Sequence, residues 1–335
     1  MNRILWLLAA LVAAVGIGSG ALAAWVFAWR TALPESPVEF VVEAGSGLRS
    51  AARAAESAGV IAHARTVVVL GRMTGLDRRV RAGRYELAAP VSAWELLHLL
   101  TQGDVRLSAI TLVEGWTLRQ WRAALAAHPD LKQDSAALAD AELAERLGLS
   151  GGSAEGWLFP DTYLFAPGSS DLAVMARAAR AMHGHLAREW AARAEGVPLA
   201  GPYEALILAS IIEKETGHPD DRGQVAGVFH NRLRIGMRLQ TDPTVIYGLG
   251  ERFDGDLRRR DLVTDGPYNT YTRAGLPPTP IAMPGLASLR AAMNPQPTRA
   301  LYFVARGDGR SEFSESLADH NRAVRKFQLG GQSGR

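Results

Sequence analysis

The sequence predicts a membrane-anchored α+β protein: an N-terminal transmembrane helix, a small strand–helix module, and a larger, mainly helical domain with a β-hairpin. Three observations predict it: an uncharged apolar run at the N-terminus, short strand and helix signals in alternation up to residue 113, and a helix-rich remainder closed by a hairpin pattern. The 335 residues are 47% apolar, enough for more than one packed core at roughly 100–200 residues per domain. There is no cysteine, which removes disulfides and thiolate metal sites. A net charge of +3 and a pI near 9.4 raise the question of nucleic acid. Of the 37 basic residues only Lys132, Lys214 and Lys326 are lysine, and the arginines are scattered among 34 acidic residues. No stretch forms a sustained basic stripe, so no nucleic-acid partner is expected.

From Ile4 to Trp29 no residue is charged. As a helix rising about 1.5 Å per residue, this run more than crosses a hydrocarbon core of roughly 30 Å. Arg3 and Arg30 flank it, and Trp6, Trp25 and Trp29 stand near its ends, where indoles favour the membrane interface. Ala21-Leu22-Ala23 resembles a signal-peptidase site, but the apolar run continues through Trp25-Val26-Phe27, which favours an uncleaved anchor. Arg3 and the amino terminus favour a cytoplasmic N-terminus, with Arg30 as a counterweight. The expected organisation is an anchor over 1–30, a linker over 31–37, an α+β module over 38–113, the larger domain over 114–328 and a disordered tail over 329–335, with everything after the anchor extracytoplasmic.

In the module, a strand is expected at Glu39 to Val42, a helix from Leu48 to Ala58 ended by Gly59, and a strand at Gly83 to Leu87. Ser92 with Glu95 forms a capping box opening a helix through Leu100, and a strand follows near Leu107 to Val113. Thr117 and Gln120 cap a helix reaching Ala127. Further helices are expected from Ser135 to Leu147 and from Asp171 to Ala194. Between them, Glu155 to Tyr163 is dense in aromatics, readable either as a loop packed on a core or as a sugar-stacking surface.

Pro202 to Glu215 carries the chemistry. Proline suits a first helical turn, and from Ala205 to Ile212 only Ser210 is polar, so this helix must be buried nearly all round. It ends in Glu213, Lys214 and Glu215. A carboxylate at the rim of an apolar wall is disfavoured in its charged form, which suits Glu213 to proton donation. Glu215 lies about 200° further round the helix, so the two carboxylates point apart. On helix physics alone both also fit a solvated helix end. Downstream come a helix over Gln224 to Leu233 broken by Gly236, a short extended segment over Met237 to Gln240, and a helix with Asp242 as N-cap and Pro243 in its first turn. A loop from Gly266 to Thr272, a proline-rich run from Leu276 to Pro284, a hairpin (Leu301 to Val304, Ser311 to Phe313) and a helix to Phe327 complete the chain. The histidines show no HExxH spacing, and no GxSxG or P-loop occurs, so neither metal nor cofactor is expected.

The chain resembles the YceG-like endolytic murein transglycosylases. The resemblance is carried by Leu208-Ala209-Ser210-Ile211-Ile212-Glu213-Lys214-Glu215-Thr216, Phe229-His230-Asn231-Arg232-Leu233, and the run from Met237 to Gly248, with Tyr268-Asn269-Thr270-Tyr271, Gly275-Leu276-Pro277-Pro278 and Leu301-Tyr302-Phe303-Val304. It departs mildly at Gly217-His218 and His230. The resemblance implies that residues 38–113 are a LysM-like module, through Val41-Val42, Gly45-Ser46-Gly47-Leu48 and Ala82-Gly83-Arg84-Tyr85. It places Glu213 on the family's catalytic glutamate. It further implies cutting of nascent peptidoglycan glycan strands between N-acetylmuramic acid and N-acetylglucosamine, ending their elongation, from the cytoplasmic (inner) membrane and beside peptidoglycan synthases. Such a reaction needs one carboxyl group, because the sugar's C6 hydroxyl attacks and closes a 1,6-anhydro ring, whereas hydrolysis needs a second. Gln240, Asp242, Tyr268 and Asn269 are candidates for holding the sugars. The alternatives are a hydrolytic muramidase pairing Glu213 with Asp242 or Glu215, and a non-catalytic peptidoglycan-binding scaffold.

Overall fold

Side chains that compete for backbone groups decide where many elements of this chain begin. In the computed structural model, which describes residue 20, residues 26–103 and residues 105–329, Ser92 Oγ accepts from Glu95 N–H at 3.2 Å while Glu95 accepts from Ser92 N–H at 2.8 Å. Thr117 and Gln120 repeat this capping box one helix later. The chain divides into two compact units. The first comprises residues up to Ile110 together with Pro129–Lys132 and Leu164–Ser170, and the second holds the rest.

In the first unit, β1 (Val38–Val42) and β2 (Gly83–Leu87) form an antiparallel ribbon with Phe40 opposite Tyr85, their rings stacked 5.2 Å apart. Alternate residues Val38, Phe40, Val42, Tyr85 and Leu87 point into a core, as the period of two requires. Helices α1 (Leu48–Ser57), α2 (Ala64–Thr74) and α3 (Ala93–Gln102) close that core with Leu48, Ala51, Ala55, Val67, Leu96, Leu97 and Leu100. The sequence pattern does not announce α2, because Val67-Val68-Val69 is β-branched and the N-cap residue His63 makes no side-chain cap bond. Packing outweighs that propensity: α2 approaches its neighbours so closely at Gly71 that a Cβ there would meet Leu48 Cδ2 at 2.1 Å. Strands β3 (Ser108–Leu112) and β5 (Asp161–Phe165) each cross a unit boundary, and β4 (Leu131–Lys132) pairs in parallel with β6 (Ser169–Ser170) inside the first unit.

The second unit is mainly helical: α4 (Leu118–Ala126), α5 (Asp140–Arg146), α6 (Asp171–Ala191), α7 (Pro202–Glu215), α8 (Arg222–Arg234), α9 (Asp242–Leu249), α10 (Arg259–Val263), α11 (Leu286–Met293) and α12 (Leu317–Val324). A hairpin of β7 (Tyr302–Ala305) and β8 (Ser311–Ser314) precedes α12. Helix α7 is the axis of the unit, enclosed by α6, α8, α9 and α11, and every residue from Ala205 to Ile212 is buried. The mixed helix-and-strand class is as expected.

Several local expectations are corrected. The helix expected from Ser135 to Leu147 is confined to Asp140–Arg146, because the Asp171 carboxylate takes the Ser135 N–H at 3.1 Å and its hydroxyl at 2.5 Å and holds the preceding residues in turns. Met237 to Gln240 forms no strand and ends in left-handed backbone at Gln240, with φ 48°. The loop wraps the buried Arg232, whose guanidinium donates to the carbonyls of Leu239 at 2.5 Å and Leu301 at 2.7 Å. Thr241, not Asp242, stands at the N-cap of α9, and Asp242 is the first helical residue. The anchor expected over Ile4 to Trp29 lies outside the described residues except at residue 20 and residues 26–29. Among the described residues no helix is long and apolar enough to cross a membrane. The expected tail lies outside them beyond residue 329.

Ser210, the polar residue inside α7, donates to Ile207 O at 2.7 Å and accepts from Ile281 N–H at 3.0 Å. Replacing it by alanine strands a buried N–H. The Ser210→Ala protein is therefore expected to lose about 1–3 kcal/mol in urea unfolding. A change confined to a few tenths would mean that Ile281 has another partner.

Candidate active site

Helix α7 delivers two carboxylates to its C-terminal turn, on opposite sides. Glu213, half-buried, accepts a hydrogen bond at Oε2 from the backbone N–H of Gly285 at 2.9 Å. Gly285 is the N-cap residue of α11, so Glu213 lies at the positive end of that helix. The approach is built from the sequence upward. Ser210 fixes Ile281, and Met283 exchanges backbone bonds with Gly115 and Trp116, each 2.8 Å. Lys214 Nζ then donates to Gly115 O at 3.3 Å. The run Glu114-Gly115-Trp116 is thereby strapped beside the end of α7. Gly115, with φ 74°, makes the turn that β-carbon sterics would oppose.

Glu114 is a site residue that the sequence reading missed. Its carboxylate lies against Gly285, where a Cβ would sit 2.0 Å from Oε1, so glycine alone leaves room. The Glu114 carboxyl is pushed above its ordinary range, first by desolvation and then by the negative charge of Glu213, with Arg222 opposing. The available signal was an acid ending an apolar strand directly before a turn glycine.

On the other side of α7, Glu215 accepts from the Thr241 hydroxyl. Burial pushes its carboxyl up to about 7, with a further contribution from the charge of Asp242. Glu215, Gln240, Asp242, Tyr271 and Tyr302 line a cavity of about 680 Å³ that Glu213 does not line. Asp242 Oδ1 accepts from the Tyr271 hydroxyl at 2.5 Å, and Gln240 is exposed in its left-handed conformation.

The remaining predicted residues divide. Tyr268 is half-buried, its hydroxyl 2.8 Å from Thr279 Oγ1 and its ring 4.9 Å from that of Tyr247. Asn269 is buried and committed to the loop: its amide donates to the carbonyls of Asp261, Leu262 and Thr264, and its oxygen accepts from Tyr271 N–H. The expectation that it holds sugars is corrected, since no N–H is left for a ligand. The aromatic segment also resolves toward packing. Trp157 and Tyr163 are buried, Trp157 stacking on Tyr203 at 5.7 Å, so they offer no sugar-stacking face. Glu155 in that segment is a buried acid accepting from Leu118 N–H at 3.1 Å and from the Tyr247 hydroxyl at 3.2 Å, and burial pushes it to about 7. Among the described residues no cluster of His, Asp and Glu is arranged to hold a metal.

Glu155 and Glu215 both fold with carboxyl values above those of an unfolded chain. Each therefore favours the folded state while protonated; that contribution is full below about 4.5 and is lost as pH rises through about 7. The urea midpoint is expected to fall across this window, and Glu155→Gln is expected to flatten the fall. A parallel pH profile in the variant would remove Glu155 as a cause.

A model of the YceG-like family matches residues 40–326. An endolytic murein transglycosylase of Bacillus subtilis is 39% identical over 173 residues, covering 52% of this chain and 48% of the relative. One of Streptococcus pneumoniae is 27% identical over 314 residues, covering 84% of this chain and 56% of the relative. The chain spans about half the length of these curated relatives. A crystal structure of a yceG-like protein from Listeria monocytogenes is similar with a TM-score of 0.55 and 29% identity, over 86% of this chain and 98% of that one. With the family model covering both the ribbon of the first unit and the whole of α7, this chain belongs to the YceG-like family.

Proposed function

We propose that this protein is an endolytic lytic transglycosylase of peptidoglycan with Glu213 as its catalytic acid and base. It cuts the β-1,4 bond between N-acetylmuramic acid and N-acetylglucosamine in nascent strands, leaves a 1,6-anhydro end and stops elongation. The observation that carries the reading is the place of Glu213: a half-buried carboxyl at the end of a helix enclosed on all sides, held at one oxygen by the Gly285 N–H. The second oxygen is free to exchange a proton. Membership of a family whose relatives are named endolytic murein transglycosylases supports the same reaction.

The chemistry follows from what a glycosidic oxygen needs. It is a poor leaving group until protonated, and Glu213 supplies the proton as the C1–O bond breaks. The C6 hydroxyl oxygen then closes on C1, and its proton returns to Glu213. Gln240 and Asp242, at the cavity wall on the Glu215 side, and Tyr268 are proposed to hold sugars of the strand. Residues 38–113 would serve as a LysM-like glycan-binding module and 114–328 as the catalytic domain. Ile4 to Trp29 would anchor both in the cytoplasmic membrane, extracytoplasmic and close to peptidoglycan synthases.

A hydrolytic reading, with Asp242 or Glu215 as the second acid beside Glu213, draws on one observation: both of them line the cavity. Product mass separates the two. Purified strands are expected to yield anhydro ends, and Glu213→Gln is expected to slow cleavage by at least roughly 10²–10⁴-fold with strand binding retained. Glu215→Gln and Asp242→Asn should cost far less and leave the product unchanged. Hydrated ends from the parent enzyme, or near-normal turnover by Glu213→Gln, would refute the mechanism.

Topology is checked separately by protease treatment of spheroplasts. Residues after the anchor are expected to be digested, and their protection would overturn the extracytoplasmic placement.

A further inference from the structure

We propose that Glu114 is the positioning partner of Glu213, the two forming a carboxyl pair that shares one proton, which Glu213 passes to the glycosidic oxygen. The proposal rests on the reading of Glu213 given above.

Geometry supports the pair. Gly285 serves both members: its N–H donates to Glu213 Oε2 at 2.9 Å, and its bare Cα faces the Glu114 carboxylate, which a Cβ would meet at 2.0 Å. Glu114 is not placed by chance of a flexible side chain on a flexible loop. The residue after it is tied on both sides, Gly115 N–H donating to Met283 O at 2.8 Å and Gly115 O accepting from Lys214 at 3.3 Å. A Cβ on Gly115 would lie 3.7 Å from Glu213 Cγ, so the strap runs directly along the Glu213 side chain. The charged groups facing the pair are Lys214 from α7 and Arg222 from α8. Among the described residues, Arg222 Nε is buried and has no hydrogen-bond partner. Glu114 itself is exposed to solvent.

Two carboxylates confined to one site cannot both ionise freely, so the pair retains a proton to higher pH than either would alone. In the reaction Glu213 passes that proton to the bridging oxygen, C1–O breaks, the C6 oxygen bonds to C1, and the C6 proton returns to Glu213. The role of Glu114 is to keep a proton in the pair, not to receive one from the substrate.

Two measurements on the full chain in detergent test this. The first is cleavage rate against pH for the parent, Glu114→Gln and Glu114→Asp. Glu114→Gln is expected to move the alkaline limb about one pH unit lower, a roughly tenfold loss on that limb, while Glu114→Asp keeps the limb near its place. A rate lowered uniformly with the limb unmoved would mean a merely structural role and overturn the proposal. The second is a carbon-13 carboxyl titration without substrate, comparing the parent with Glu213→Gln. Glu114 is expected to titrate above the ordinary carboxylate range in the parent and lower in Glu213→Gln; an unmoved titration overturns the pair even in an enzyme that cuts strands. This titration needs no Glu114 variant, so a folding defect in those variants cannot mask it. A coupled titration in a parent that cuts no glycan would instead refute the reading of Glu213 and leave only the electrostatic pair.

Discussion

A helix without a polar face has to be enclosed, and much of the second unit is arranged around that requirement. From Ala205 to Ile212 the α7 side chains are all buried, and the five Leu and Ile residues among them each contribute roughly 1.5–3 kcal/mol on leaving water. Four helices supply the enclosure. The consequence for chemistry is that the helix end is immobile. Polar groups fixed to it inherit its rigidity, and Glu213 needs only one backbone bond, from Gly285, to be oriented.

Because the last turn of α7 emerges from this enclosure, residues two apart meet different surroundings. Glu213 faces the N-terminus of α11 and the Glu114 strap, whereas Glu215 faces Thr241 and the cavity walled by the hairpin. Arg232 is the counterpart on the second side. It is buried, yet its bonds go to main-chain carbonyls of the Gln240 loop and of the hairpin start, so it acts as a clasp between segments far apart in sequence. The left-handed backbone of Gln240 is held by that clasp and by Thr270 O, at a residue type that does not favour it.

What was legible in the sequence were features with local causes. The two capping boxes, the span of α7 from Pro202 to Glu215 and the hairpin arise from neighbouring residues, and their signals survive folding unchanged. The divergence of Glu213 and Glu215 also follows from helix geometry alone. What escaped has causes distant in sequence. Helix α2 exists because Gly71 lets it settle on Leu48 and Leu97, against its own β-branched propensity. The Ser135 segment is turned by an aspartate 36 residues away. Glu114 joins the site only through Gly285, and Asn269 leaves it only because the carbonyls of Asp261, Leu262 and Thr264 claim its amide. A composition-based reading of a polar loop cannot tell a ligand contact from a latch.

The division into units has a bearing on synthesis. The first unit is not a contiguous stretch: it takes in Pro129–Lys132 and Leu164–Ser170, and its short parallel pair joins Leu131 to Ser169. A chain emerging from the ribosome N-terminus first at about 5–20 residues per second holds the ribbon and its three helices for several seconds before those pieces arrive. The first unit therefore waits on residues encoded inside the second. Exchange of this unit between relatives by recombination at a single junction after residue 110 would leave part of it behind.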